Sequence, residues 1–222
     1  MMKSTISKKT YEGIYRLLDR VSPVDFDCGT LCGCACCTCA YEPDDIEFTA
    51  EGDENADEYM GLYLLPGEEQ IFEMDPDAFD TDCDWLDWGT IEAEDYEFPD
   101  SWHGKVCFMQ CKTPPVCRRH KRPIQCRTFP LAPHIGEDGV FHLILHCDEL
   151  PYDCPLISRN VLTCDDIEDA DFEPITLNED FIQATFTAWK RLVQDPLIFD
   201  LVEMDSQFRL EEFDADEIVI VR

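Results

Sequence analysis

Residues 28–39 read CGTLCGCACCTC and hold six cysteines in twelve positions: Cys28, Cys32, Cys34, Cys36, Cys37 and Cys39. Thiolates this close repel one another and oxidise easily. A reducing cell keeps such a run where a soft cation such as Zn²⁺ or an iron–sulfur core neutralises it. The stretch therefore reads as a metal site. It predicts an irregular, metal-centred α+β fold in which short strands, a β-hairpin and a C-terminal helical pair gather around cysteine loops. A second set, Cys107, Cys111, Cys117, Cys126, Cys147 and Cys154, lies downstream.

Upstream of the run, Tyr11, Ile14, Tyr15, Leu18 and Val21 recur at helical spacing until Ser22-Pro23 ends the pattern, so a helix delivers the chain into the cysteine loop. Downstream, residues 44–58 form an acidic loop, and 61–65 a short apolar strand closed by Pro66-Gly67, followed by a helical turn through Ile71 and Phe72. Residues 75–100 contain no Lys or Arg but do contain Trp85, Leu86 and Trp88, which reads as a surface segment pinned by its aromatics. Residues 105–109 read as a strand. Residues 131–135 and 140–145 read as a hairpin turned at Glu137-Asp138-Gly139. Asn178 is placed to cap an amphipathic helix with Phe181, Ile182, Phe186, Trp189 and Val193 on one face. Asp195-Pro196 opens a second helix with Ile198, Leu201, Val202 and Phe208 inward, and 217–221 suits an edge strand. One domain over 1–222 is expected, with a metal-binding core at 22–157 and the helical hairpin of 178–209 packed on it.

Composition restricts the function. The 222 residues carry 17 Lys or Arg against 49 Asp or Glu, a formal charge of −32. Such a field repels nucleic acid and anionic membrane, which excludes both as expected partners and leaves a metal ion or cluster and a protein partner. With 45% hydrophobic residues and 14 Phe, 7 Tyr and 4 Trp, the chain can still bury a core. Residues 1–20 lack the apolar run of a signal peptide, and no apolar stretch reaches the roughly 18 residues of a membrane span. A cytoplasmic location follows as the expectation, and there cysteines act as ligands more often than as disulfides.

The acids at Asp80, Asp82 and Asp84 alternate as in a calcium loop, but Trp85 stands where the sharp turn needs Gly and Ile91 where the bidentate Glu belongs, so a solvated acidic loop is expected. The acids of 165–173 read the same way. By contrast, Arg118, Arg119, Lys121, Arg122 and Arg127 gather between and beside Cys117 and Cys126. Fixed cations next to several thiolates offset negative charge and tune a centre's potential, the role in which Arg122 and Arg127 are candidates. His120 and His146 adjoin candidate ligands and could each replace a thiolate.

These residues resemble the YkgJ-type cysteine-cluster family, described as zinc- or iron-chelating domains. Its pattern runs roughly Cys-x2-Cys-x3-Cys-Cys and later Cys, then Arg-Pro-x2-Cys-Arg-x-Phe-Pro. Here Cys28, Cys32 and Cys36-Cys37 match with one extra residue in the first gap. Cys117 and Arg122-Pro123-Ile124-Gln125-Cys126-Arg127-Thr128-Phe129-Pro130 follow. The resemblance covers 28–154 and implies metal chelation without a settled reaction. A flagellin lysine methylase also resembles this family, and its chemistry is not carried over. The candidate ligands are Cys28, Cys32, Cys36, Cys37, Cys111, Cys117, Cys126, Cys147 and Cys154.

Two function classes follow. The first is a non-catalytic metal-binding protein holding Zn²⁺ or an iron–sulfur cluster for structure, redox sensing or electron transfer. The second is a metal-dependent enzyme, S-adenosylmethionine-linked or methylase-like. Cys32-x3-Cys36-x2-Cys39 has the radical S-adenosylmethionine spacing, with Thr38 in place of the usual aromatic. Nucleotide loops and a nucleophile elbow are absent from the sequence.

Overall fold

A computed structural model describes residues 2–26, 28, 33, 36, 61–72, 86–111, 121–148, 150, 154–158 and 176–222, with the backbone alone at Leu86, Asp87, Gln110, Cys111 and Ser158. The acidic stretches 44–58 and 165–173, and Asp80, Asp82 and Asp84, lie outside the described residues. The architecture is α+β, with helices around two small antiparallel sheets. Among the described residues no helix is long and apolar enough to cross a membrane.

Helix α1, Lys8–Leu18, forms where the periodicity places it. Ser7 caps it by accepting the Thr10 N–H at 3.2 Å, and Tyr11, Ile14, Tyr15 and Leu18 are all buried. Side chains at i, i+3, i+4 and i+7 share one face, so a single stripe of the helix meets the core.

The first sheet has strands β1, Gly61–Tyr63, β2, Leu86–Glu92, and β3, Lys105–Cys111, in the order β1-β3-β2. Strand β2 runs inside the segment expected to be pinned surface; it pairs with β3 from Leu86↔Cys111 to Glu92↔Lys105. Acidic neighbours hide its β-formers in the sequence, and the seven-residue ladder with β3 decides the outcome. Gly61 permits the β1–β3 approach, because a Cβ there would stand 2.0 Å from the Phe108 ring. Between β1 and β3 the short helix α2, Glu69–Phe72, follows the Pro66-Gly67 turn.

Helix α3, Ile124–Thr128, carries Cys126 and Arg127, so the basic segment is helical there. A cis Phe129–Pro130 bond leads into the hairpin of β4, Leu131–Ile135, and β5, Phe141–Leu145. It pairs Leu131↔Leu145 through Ile135↔Phe141, and Gly139 sits in the turn with φ +74°. The C-terminal tail lies along β5, with Val221 N–H donating to Leu143 C=O at 2.8 Å and Leu145 N–H to Val219 C=O at 2.9 Å.

After α4, Pro155–Ser158, come α5, Glu179–Leu192, and α6, Pro196–Glu212. Asn178 stands at the start of α5, yet its side chain makes no capping bond there. Its Nδ2 donates instead to Ser22 C=O at 3.1 Å and Asp25 at 3.0 Å. Fully buried Asp195 caps α6 and also accepts from Ser4 and from Thr5, tying down the N-terminal segment. The two helices are consecutive but choose different partners: α5 packs on α1 and the hairpin, and α6 on β4. Phe208, expected inward, is 56% exposed, and Arg209 takes the inward place. At 100° per residue Arg209 lies nearly below Ile198, and Phe208 a quarter-turn off.

One apolar cluster joins α1 (Tyr11, Ile14), the turn after β1 (Leu65), α3 (Ile124), the hairpin (Leu143) and both C-terminal helices (Phe181, Ile198). Fully burying each such aliphatic or aromatic side chain contributes about 1.5–3 kcal/mol. This core seats α3 against α1, with Cys126 and Arg127 lining a cavity.

Candidate metal centre

Helix α3 has only five residues and would not form alone. Buried Glu68 holds its start: Oε1 accepts the Ile124 N–H at 2.7 Å and the Tyr15 hydroxyl at 2.6 Å, while Oε2 accepts the Leu65 N–H at 3.1 Å. Burial raises the Glu68 carboxyl above its ordinary value, and these three donors oppose the rise. At the other end the Thr128 hydroxyl donates to Ile124 C=O at 3.0 Å and accepts from Trp189 Nε1 at 3.2 Å.

Cys126 projects from this helix toward a cavity of about 720 Å³ that Cys28, Cys36, Arg122, Arg127 and His146 also line. Cys28 is half-buried, Cys36 exposed and Cys126 half-buried. Cys28 packs against the small cluster of Val24, Cys154 and Leu156, which Phe129 and Leu150 flank. Residues from the N-terminal loop, α3 and the segment after the hairpin thus converge on one space.

The remaining candidates divide clearly. Cys154 is buried just before α4, beside the Cys28 cluster. Cys147 follows β5 and packs instead with Ala132, Ile144 and Ile218; burial and then Asp148 push its thiol up. Cys111 ends β3. Cys32, Cys37 and Cys117, with Cys34, Cys39 and His120, lie outside the described residues. Cys107, on β3, is buried against Leu64 and Met109. Burial, with Glu69 adding to it, pushes its thiol up to about 12, so it stays protonated and apolar in character. Among the described residues no group of three His, Cys, Asp or Glu side chains is drawn together tightly enough to enclose an ion.

Arg127 sits over the Tyr15 ring, its guanidinium carbon 4.4 Å from the centroid. Its Nε donates to Arg122 C=O at 2.6 Å and its Nη1 to Asp19. The side chain is 5% exposed, and Nη2 is buried with no partner among the described residues. His146 stacks obliquely near Phe129, and its Nδ1 is likewise buried and unpartnered among the described residues. Burial lowers the His146 pKa and keeps the imidazole neutral, the form that ligates metals.

Three further residues lining the cavity, apart from the candidate ligands, were not anticipated from sequence. Asp148 and Arg209 form a forked ion pair, with Nε to Oδ1 at 2.8 Å and Nη2 to Oδ2 at 2.7 Å. Asp205, one helical turn before Arg209, lines the same cavity. The signal was there in part: Asp205 and Arg209 fall on the stripe of Ile198, Leu201 and Val202, where polar residues are unusual. Nothing in the sequence separates Glu68 from Glu69.

No family model, no curated protein sequence and no solved structure matches this chain.

Proposed function

We propose that this chain is a metal-binding protein that holds zinc or an iron–sulfur cluster through its cysteine loops, with a structural, redox or electron-transfer role in the cytoplasm. One observation carries the reading: Cys28, Cys36 and Cys126, almost a hundred positions apart at the extremes, line a single cavity with a neutral His146. The donor set suits such a group, since thiolates and imidazole are soft or borderline ligands. The Nη2 of Arg127, unpartnered among the described residues, is a fixed donor next in sequence to Cys126, where an anionic thiolate would satisfy it. When bound, the metal group would supply either tetrahedral cross-linking of the loops or a one-electron couple.

The chain's own residues do the rest. Glu68 fixes the start of α3 and thereby the position of Cys126. Phe129 and Leu150 keep that wall of the cavity apolar. Kinship with the YkgJ-type family is part of the same proposal and rests on the Arg122–Pro130 segment.

Anaerobic purification with metal and acid-labile sulfide analysis, followed by a visible spectrum before and after dithionite, tests it. Iron with sulfide and a bleachable band, or stoichiometric zinc without sulfide, sustains the reading and names the metal. Protein that folds without either metal refutes it.

A further inference from the structure

Besides the cysteines, the cavity is lined by residues of a different chemistry. Strands β1 and β3 and helix α6 contribute Leu62, Tyr63, Met109, Leu201 and Met204, and Phe208 stands at the rim with 56% of its surface exposed. Asp205 lines the cavity as well. Among the described residues its carboxyl accepts no hydrogen bond. The nearby Arg209 directs Nε and Nη2 to Asp148 and Nη1 to Pro133 C=O at 3.1 Å, and acts on Asp205 through its charge rather than through a hydrogen bond. A carboxyl left unpaired in a largely apolar enclosure is costly, and nothing in the metal reading uses it.

We infer that this part of the cavity is a small-molecule site for a protonated amine with an aromatic or other apolar body, the ammonium pairing with Asp205 and the body lying against Tyr63, Met204 and Phe208. The inference goes beyond the metal reading and does not depend on it. The space, about 720 Å³ in all, falls within the range that holds organic ligands. Charge complementarity selects the class. A carboxylate placed against Asp205 would be repelled by it, and a neutral group would leave its charge uncompensated. Burial pushes the Asp205 carboxyl up to about 6, which leaves it ionised at neutral pH and ready to pair. Burial and then Asp205 also raise the Tyr63 phenol, so its hydroxyl remains a neutral hydrogen-bonding group facing the same charge.

Isothermal titration of the whole protein at neutral pH tests this with three probes of one shape: tryptamine, its neutral alcohol tryptophol, and indole-3-acetate. Tryptamine is expected to bind at least about tenfold more tightly than tryptophol, the size of one charge-assisted hydrogen bond, and indole-3-acetate least. Asp205→Asn should bring tryptamine down to the affinity of tryptophol, which itself should change little. Metal and sulfide content, measured on the same samples, should be equal in wild type and variant, so that loss of the metal reading would be seen separately. Equal affinities for amine and alcohol in the wild type, tighter binding of the acid, or an Asn variant that keeps the amine preference overturns the proposal. Should the variant fail to fold, the wild-type ranking of the three probes decides by itself.

Discussion

The carboxyl of Glu68 lies 2.7 Å from the backbone nitrogen of Ile124, across 56 positions of sequence, and this contact is what starts the helix bearing Cys126. The same carboxyl takes the Tyr15 hydroxyl and the Leu65 N–H. Removing it strands three buried donors at once. Glu68→Ala is expected to cost about 3 kcal/mol or more in urea unfolding. Glu68→Gln should cost less, because its amide oxygen can still serve two of the three. Wild-type stability in the Ala variant would mean that α3 is held by packing alone.

Arg127 binds α3 to α1 through the Tyr15 ring and Asp19. Arg127→Ala should lower stability by about 1–2 kcal/mol and, on the metal reading, lower metal retention as well. Arg127→Lys should restore part of the stability but little of the retention, since Lys lacks the planar fork that reaches Arg122 C=O and Asp19 together. Parallel chemical unfolding and metal analysis separate the two effects. Full retention in the Ala variant would confine Arg127 to a packing role.

Thiol alkylation should divide the cysteines by position. In chelator-treated, folded protein, exposed Cys36 is expected to react with iodoacetamide well before Cys107. Cys107 is 2% exposed, and burial pushes its thiol up to about 12. Cys126→Ser and Cys28→Ser should each reduce bound metal, while Cys107→Ser should leave it unchanged. Peptide mapping by mass spectrometry reads the first result and metal analysis the second. Early labelling of Cys107 would show that the first sheet opens readily.

Asp205 sets a pH dependence with a definite sign. Its carboxyl is raised from 3.8 to about 6, so the folded state holds that proton more tightly than the unfolded state. Its contribution is therefore best below about pH 4, declines as pH rises through about 6, and is a steady penalty above. Asp205→Asn should accordingly stabilise the protein by about 2 kcal/mol near pH 7.5, allowing for water in the cavity, and by nearly nothing at pH 4. The difference between variant and wild-type melting curves across that range measures it. A constant difference at all pH values would mean that Asp205 titrates normally.

The cysteine positions, the acidic balance, helix α1, the 131–145 hairpin, the start of α6 and the tail beside β5 could all be read from sequence. Each is announced by local pattern: a 3.6-residue stripe, an Asp-Gly turn, an Asp-Pro cap, or simply residue type. Strand β2 was hidden because its neighbours are acidic and residues 93–104, rather than a tight turn, join it to its partner β3. Helix α3 was hidden because its stability comes from Glu68 and Trp189, neither of which is near it in the chain.

By itself, then, the sequence determined which residues can serve as soft ligands and which stretches have a side to bury, because both depend on residue type and short-range periodicity. Only the tertiary structure decided that Cys28, Cys36, Cys126 and His146 share one cavity while Cys107 and Cys147 pack elsewhere. It also decided that Arg209 pairs with Asp148 and, among the described residues, leaves Asp205 without a hydrogen bond. Those outcomes depend on which distant carboxylates, carbonyls and apolar faces the fold brings within a few ångströms, and that distance is set by packing of the whole core rather than by any local spacing.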